Sequence, residues 1–183
     1  LLLRPGDRIG GDDRTTNRMM GDLVLSGESV DAVRSYLLDR LARDGNFDRF
    51  LESLRTLKVR FGEQAEWVND WAYFSIVMGR DGEEALAEVN RIIEKEPSKL
   101  AYHMTWAMAM VIRGEPREVL ERLRHFKVDW ESLAPRWRMI LALALASVGE
   151  KEQAEHYMQG IDPAGLSPYE ADLVRRLMGE PAS

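Results

Sequence analysis

The side chains able to do acid–base or metal chemistry are few and scattered. Of the three histidines, His103, His125 and His156, no two lie four residues apart. A helical zinc site needs that spacing, because only then do both rings face one ion. Each histidine is expected at a surface or a helix interface. Cysteine is absent, which removes a thiolate nucleophile, a disulfide frame and a cysteine metal site. Gly10-Gly11-Asp12-Asp13 offers glycines and carboxylates, as a phosphate or cation loop would, but reads as a flexible acidic turn. Glu83, Glu84 and Glu88, like Glu94 and Glu96, fall on helix exteriors and read as solvated faces. No nucleophile elbow, phosphate loop or His-Glu metal motif is present. No catalytic set can be assembled, so the expectation is a protein that is not an enzyme and takes no cofactor.

Composition bounds the remaining classes. With 183 residues, 45% of them hydrophobic, the chain can bury a sizeable core. A net charge of −6 argues against a nucleic-acid partner, whose affinity rests on neutralising phosphates. The longest apolar run, Met139 to Ala146, is far short of the roughly 20 residues that span a bilayer. Leu1-Leu2-Leu3-Arg4 carries no initiator Met. An ordinary boundary or packing tail is the expectation there, with the remnant of a signal or membrane anchor as the alternative. The lack of cysteine suits a reducing cytosol or a periplasm. The compartment stays open, with the cytosol as first expectation and a periplasmic or membrane-anchored chain behind it.

The elements follow from periodicity. Gly45, Gly79, Gly114, Gly149 and Gly179 stand 34, 35, 35 and 30 residues apart. A helical stretch precedes each of the first four and another follows it, a helix–turn–helix unit repeated head to tail. Val30, Val33, Leu37, Leu38 and Leu41 share one face, and Phe47, Phe50, Leu51, Leu54, Leu57 and Phe61 form the next stripe, closed by Gly62. Trp67, Trp71, Phe74 and Met78 line a third helix. Asp81-Gly82-Glu83-Glu84 predicts a capping box, with Leu86, Val89, Ile92 and Ile93 as the stripe behind it. Leu100 to Ile112 is apolar almost all round and must be covered on more than one face. Pro116 and Ser167-Pro168-Tyr169-Glu170 mark two further helix starts. The tryptophans read as core, except Trp130, which falls in a connection and is expected to be partly exposed. Residues 1–27 are glycine-rich, with a short helix expected near Asn17 to Leu25.

This unit resembles the tetratricopeptide repeat. The resemblance rests on the turn glycines, on small residues midway along the first helices (Ala72, Ala107 and Ala142, 35 apart), on Gly79 to Leu86 closed by Pro97, and on Gly149 to Ala154. It covers about Ser29 to Met178. Leu38 stands where a small residue is usual, Val119 where an alanine is, and Gly82 looks inserted. The resemblance implies an all-α fold: a right-handed α-solenoid of antiparallel helix pairs, with about four repeats and a terminal capping helix. The domains expected are residues 1–27 as an irregular segment, 28–178 as the array and 179–183 as a tail.

In that family the first helices line a concave surface where a peptide or helix docks. Carried over, the groove would hold Asn69, Tyr73, Ile76, Met104, Met108, Val111, Met139 and Leu143. Such a strip is apolar and methionine-rich, and methionine adapts to varied apolar partners. If the array curves tightly, the same eight residues are core. The function expected is therefore a non-catalytic module binding an apolar peptide or helix. The alternative is an assembly or oligomerisation domain of a larger protein, with a membrane anchor as one form of it; an enzyme on this scaffold ranks last. The first candidate occupant is the chain's own beginning, through Leu1, Leu2, Leu3, Ile9, Met19, Met20, Leu23, Val24 and Leu25. With neither a ligand cluster nor a phosphate loop, calorimetry with divalent cations and with nucleotides should give no stoichiometric site; a tight one-to-one isotherm for either would refute this.

Overall fold

The computed structural model describes residues 45–179, together with Val33 and Tyr36. The expectations placed on residues 1–27, including their docking in the groove, lie outside the described residues. Between residues 45 and 179 lie eight α-helices and two short 3-10 turns, and no strand occurs among the described residues. The fold is all-α. No helix among the described residues is long and apolar enough to cross a membrane. The chain divides into two compact units, Leu1–Trp67 and Val68–Ser183, a division that falls inside the span read as one array.

In the first unit, helix α1 (Phe47–Arg60) starts on Asn46, whose side chain accepts from the Arg49 amide at 3.0 Å. Asp48 in its first turn and Lys58 and Arg60 in its last suit the helix dipole. Phe50, Leu51, Leu54 and Leu57 are its buried stripe, as their spacing predicts. Gly62 is needed for space: a Cβ there would lie 2.7 Å from the Lys58 carbonyl oxygen. Val33 is helical and buried. Helix α2 (Ala65–Val77) begins in this unit, where the Trp67 indole donates to the Gln64 side chain at 3.0 Å.

The second unit continues α2 from Val68 and adds α3 (Gly82–Lys95), α4 (Leu100–Ile112), α5 (Pro116–Leu123), α6 (Pro135–Ser147), α7 (Lys151–Met158) and α8 (Pro168–Met178). One device ends α2, α4 and α6. The Gly79, Gly114 and Gly149 amides donate to the Ile76, Val111 and Ala146 carbonyls at 3.0–3.1 Å. The next amides, of Arg80, Glu115 and Glu150, reach back to Ser75, Met110 and Leu145 at 2.8–3.0 Å. This is the Schellman pairing, and it requires a left-handed residue at the glycine. The three φ angles are +67°, +79° and +92°.

The capping box expected at Asp81 is absent. Asp81 takes φ 49°, ψ 29°, and its side chain makes no cap hydrogen bond to α3. A capping side chain needs extended backbone to reach the first-turn amides, and left-handed backbone does not aim it there. Asp81 is the last residue of the link between Gly79 and α3. At Ser167 the expected box is complete, with the side chain accepting from the Glu170 amide at 3.2 Å and Glu170 accepting from the Ser167 amide at 2.7 Å.

Helices α4, α6 and α8 are successive neighbours; α3 packs on α4, α5 on both α4 and α6, and α7 on α6. The amphipathic helices bury narrow stripes, Ala85, Val89 and Ile92 in α3 and Val119 and Leu123 in α5. Helix α4 instead buries every residue from Tyr102 to Val111, and α6 every residue from Met139 to Leu145. His103 is thus interior, its Nε2 2.9 Å from the Pro97 carbonyl oxygen and its ring 4.7 Å from Phe126, while His125 and His156 are exposed. Trp130, in the connection before α6, is half-buried. Ala72, Ala107 and Ala142 are wholly buried. Close helix approach at such a site leaves no room for three more heavy atoms, so Ala107→Leu should cost about 1–3 kcal/mol. A chemical-denaturation midpoint unchanged by the substitution would show that Ala107 is not at a helix crossing.

Candidate functional site

The polar chemistry of the second unit converges on one carboxylate. Glu170 is the third residue of α8, placed there by the Ser167 cap and by Pro168, whose missing amide costs nothing in the first turn. Its side chain has no solvent exposure. Four hydrogen bonds reach it. The Tyr73 hydroxyl donates to Oε1 at 2.5 Å, Arg136 Nε donates to Oε1 at 2.6 Å, Arg136 Nη2 reaches Oε2 at 3.5 Å, and the Ser167 amide donates to Oε2 at 2.7 Å. Tyr73 lies on α2 and Arg136 on the first turn of α6, so the carboxylate joins three helices. The Arg136 guanidinium also stands 5.4 Å from the Tyr73 ring centre and 5.7 Å from that of Phe74, and these two rings meet edge to face. Its side chain keeps about a third of its surface in water.

The electrostatics follow from this geometry. Burial alone would raise the Glu170 carboxyl. The Arg136 cation, with hydrogen bonds from Arg136, Tyr73 and the Ser167 amide, outweighs burial and holds the carboxyl below its ordinary value. Burial first, and the neighbouring Glu170 charge second, push the Tyr73 phenol well above its usual range. The group is therefore a neutral phenol, a carboxylate and a guanidinium at any moderate pH. A tyrosine held protonated and a carboxylate held ionised bind and position; neither is poised to exchange a proton near neutrality. Among the described residues no three His, Cys, Asp or Glu side chains are placed to hold a metal ion.

The eight residues assigned to a groove are all buried, at 9% exposure for Asn69, 6% for Tyr73, 5% for Ile76 and 3% or less for the others. In this structure they do not form an open surface. Tyr73 carries the site's polar contact, and Asn69, one turn earlier on α2, has a buried Oδ1 that makes no hydrogen bond. Arg136 and Glu170 are the site residues that sequence reasoning missed. Glu170 was visible only as the glutamate of a helix cap, and nothing local signals a partner 97 residues away. No family model, no curated protein and no solved structure matches this chain.

Breaking the cluster should be costly in a graded way. Tyr73→Phe removes one hydrogen bond to a charged group and should cost about 1.5–3 kcal/mol. Arg136→Met leaves the carboxylate without its counter-ion. The expected loss is about 3 kcal/mol, softened by the water that reaches the arginine. A carboxyl depressed in the folded state contributes stability above its unfolded pKa, about 4.3, and loses it as pH falls through the folded value. Glu170→Gln should therefore flatten the acid limb of a stability–pH profile below about pH 4; an unaltered acid limb would show that the carboxylate is not paired in solution.

Proposed function

We propose that the chain is a tetratricopeptide-like helical-repeat module that acts by holding a protein segment and carries no catalysis of its own. One observation carries the reading. The same glycine-closed helix end, with the same two backstepping hydrogen bonds, recurs at residues 79, 114 and 149, each seven residues after a wholly buried alanine at 72, 107 and 142. A unit repeated with this regularity stacks each pair on the next, and the successive contacts of α4, α6 and α8 fit such stacking. Stacked arrays present one face of first helices to a partner, and the candidates on that face here are Asn69, Tyr73, Ile76, Met104, Met108, Val111, Met139 and Leu143.

The burial of all eight means that the face is closed in the state described, so a partner has to displace what closes it or engage elsewhere. The site contributes donors and apolar contact, both suited to binding. Selection from a displayed peptide library against the folded chain tests the reading. Peptides with apolar residues should be enriched and should bind one to one by calorimetry. No enrichment above a bead control, with the helical circular-dichroism spectrum intact, would refute it. A concentration-dependent oligomer in sedimentation, with no peptide binder, would favour the assembly role.

A further inference from the structure

Helix α8 is held differently from its neighbours. Of its eleven residues only Glu170 and Leu173 are buried, whereas α6 buries seven in succession. Its fully buried anchors are thus one leucine and one carboxylate, while Tyr169, Ala171, Val174, Leu177 and Met178 are half-buried. The carboxylate is bound by donors on two other helices, the Tyr73 hydroxyl on α2 and the Arg136 guanidinium on α6. If α8 swings out, both donors remain, already aimed at one point and set in an aromatic wall of Tyr73 and Phe74. One turn from Tyr73, the buried Asn69 Oδ1 stands as an acceptor with no donor. Tyr73 and Arg136 together specify a carboxylate, and the place of Leu173 specifies an apolar side chain one turn further along the same helix.

We propose that α8 is a latch over the partner-binding face, and that the partner is an amphipathic helix bearing a glutamate, which takes the place of Glu170 on Arg136 and Tyr73. This rests on the interaction-module reading and names the partner class and the regulation of that same face. A latch on the same chain competes at an effective concentration of about a millimolar. A free helix therefore binds the intact chain weakly and gains when the latch is weakened. Removing the charge from Glu170 weakens the latch by about tenfold or more, since bonds to an ionised group are the strong ones.

The test uses the full chain and two fluorescent peptides of residues 167–178, one as in the chain and one carrying Glu170→Gln. The E170Q chain should bind the glutamate peptide about tenfold or more tighter than the wild-type chain does. The glutamine peptide should show no such gain. An E170Q chain with an unchanged helical spectrum that binds both peptides equally, or neither, overturns the proposal. If E170Q does not fold, hydrogen exchange on the wild type decides. Excess glutamate peptide should accelerate exchange of the α8 amides and leave those of α4 and α6 unaltered; unaltered α8 amides overturn the proposal. A wild-type dimer with swapped α8 helices overturns it too, by making a second copy the occupant. Library peptides that bind without changing α8 exchange would overturn the latch alone and leave the interaction module standing.

Discussion

A helix apolar on every side is stable in water only when other elements cover every side. Helices α4 and α6 are of this kind, and the rest of the second unit is arranged around that need. Helix α5 touches both, α3 covers α4, and α7 and α8 cover α6. The covering helices can then be amphipathic, each with one to three buried side chains and a charged outer face. The wholly buried alanines at 72, 107 and 142 serve the same need, because close approach of helix backbones leaves no gap at their crossings. The glycines that follow each alanine by seven residues reverse the chain sharply enough to bring the next covering helix in.

Against this apolar background, the Glu170 cluster is, among the described residues, the place where a buried ion joins distant helices. Its energetic logic differs from that of the core. Apolar burial is non-directional and tolerates small displacements, whereas a carboxylate receiving four hydrogen bonds from α2, α6 and the α8 cap admits one placement of α8. The cluster sets position at the cost of desolvating a charge, which the guanidinium and the phenol offset. That balance fixes where α8 sits.

Much of the fold was legible in the sequence because its signals are local. The helix ends at Gly79, Gly114 and Gly149, the proline starts at 116 and 168, and the stripes of α1 and α3 all follow from backbone sterics and a period of 3.6 residues. The capping box at Asp81 failed for a local reason that composition does not reveal. Asp81, two residues after a left-handed glycine, is itself in left-handed backbone, and its side chain makes no cap hydrogen bond to the helix. His103, expected at a surface or an interface, takes the interface, packed on Phe126 just beyond α5, because α4 is covered all round.

The sequence by itself determined which segments are helices, where they end and which of them must lie inside, since each of these depends on neighbours within about a turn of chain. Only the tertiary structure decided that Asn69, Tyr73, Met104, Met108, Met139 and Leu143 are covered rather than open, because exposure depends on how far successive helices curve toward one another. It alone decided, too, that Glu170 meets Tyr73 and Arg136. A residue that caps its own helix reads the same in sequence whether its second oxygen faces water or a guanidinium, and the encounter across 97 residues depends on packing that no local pattern encodes.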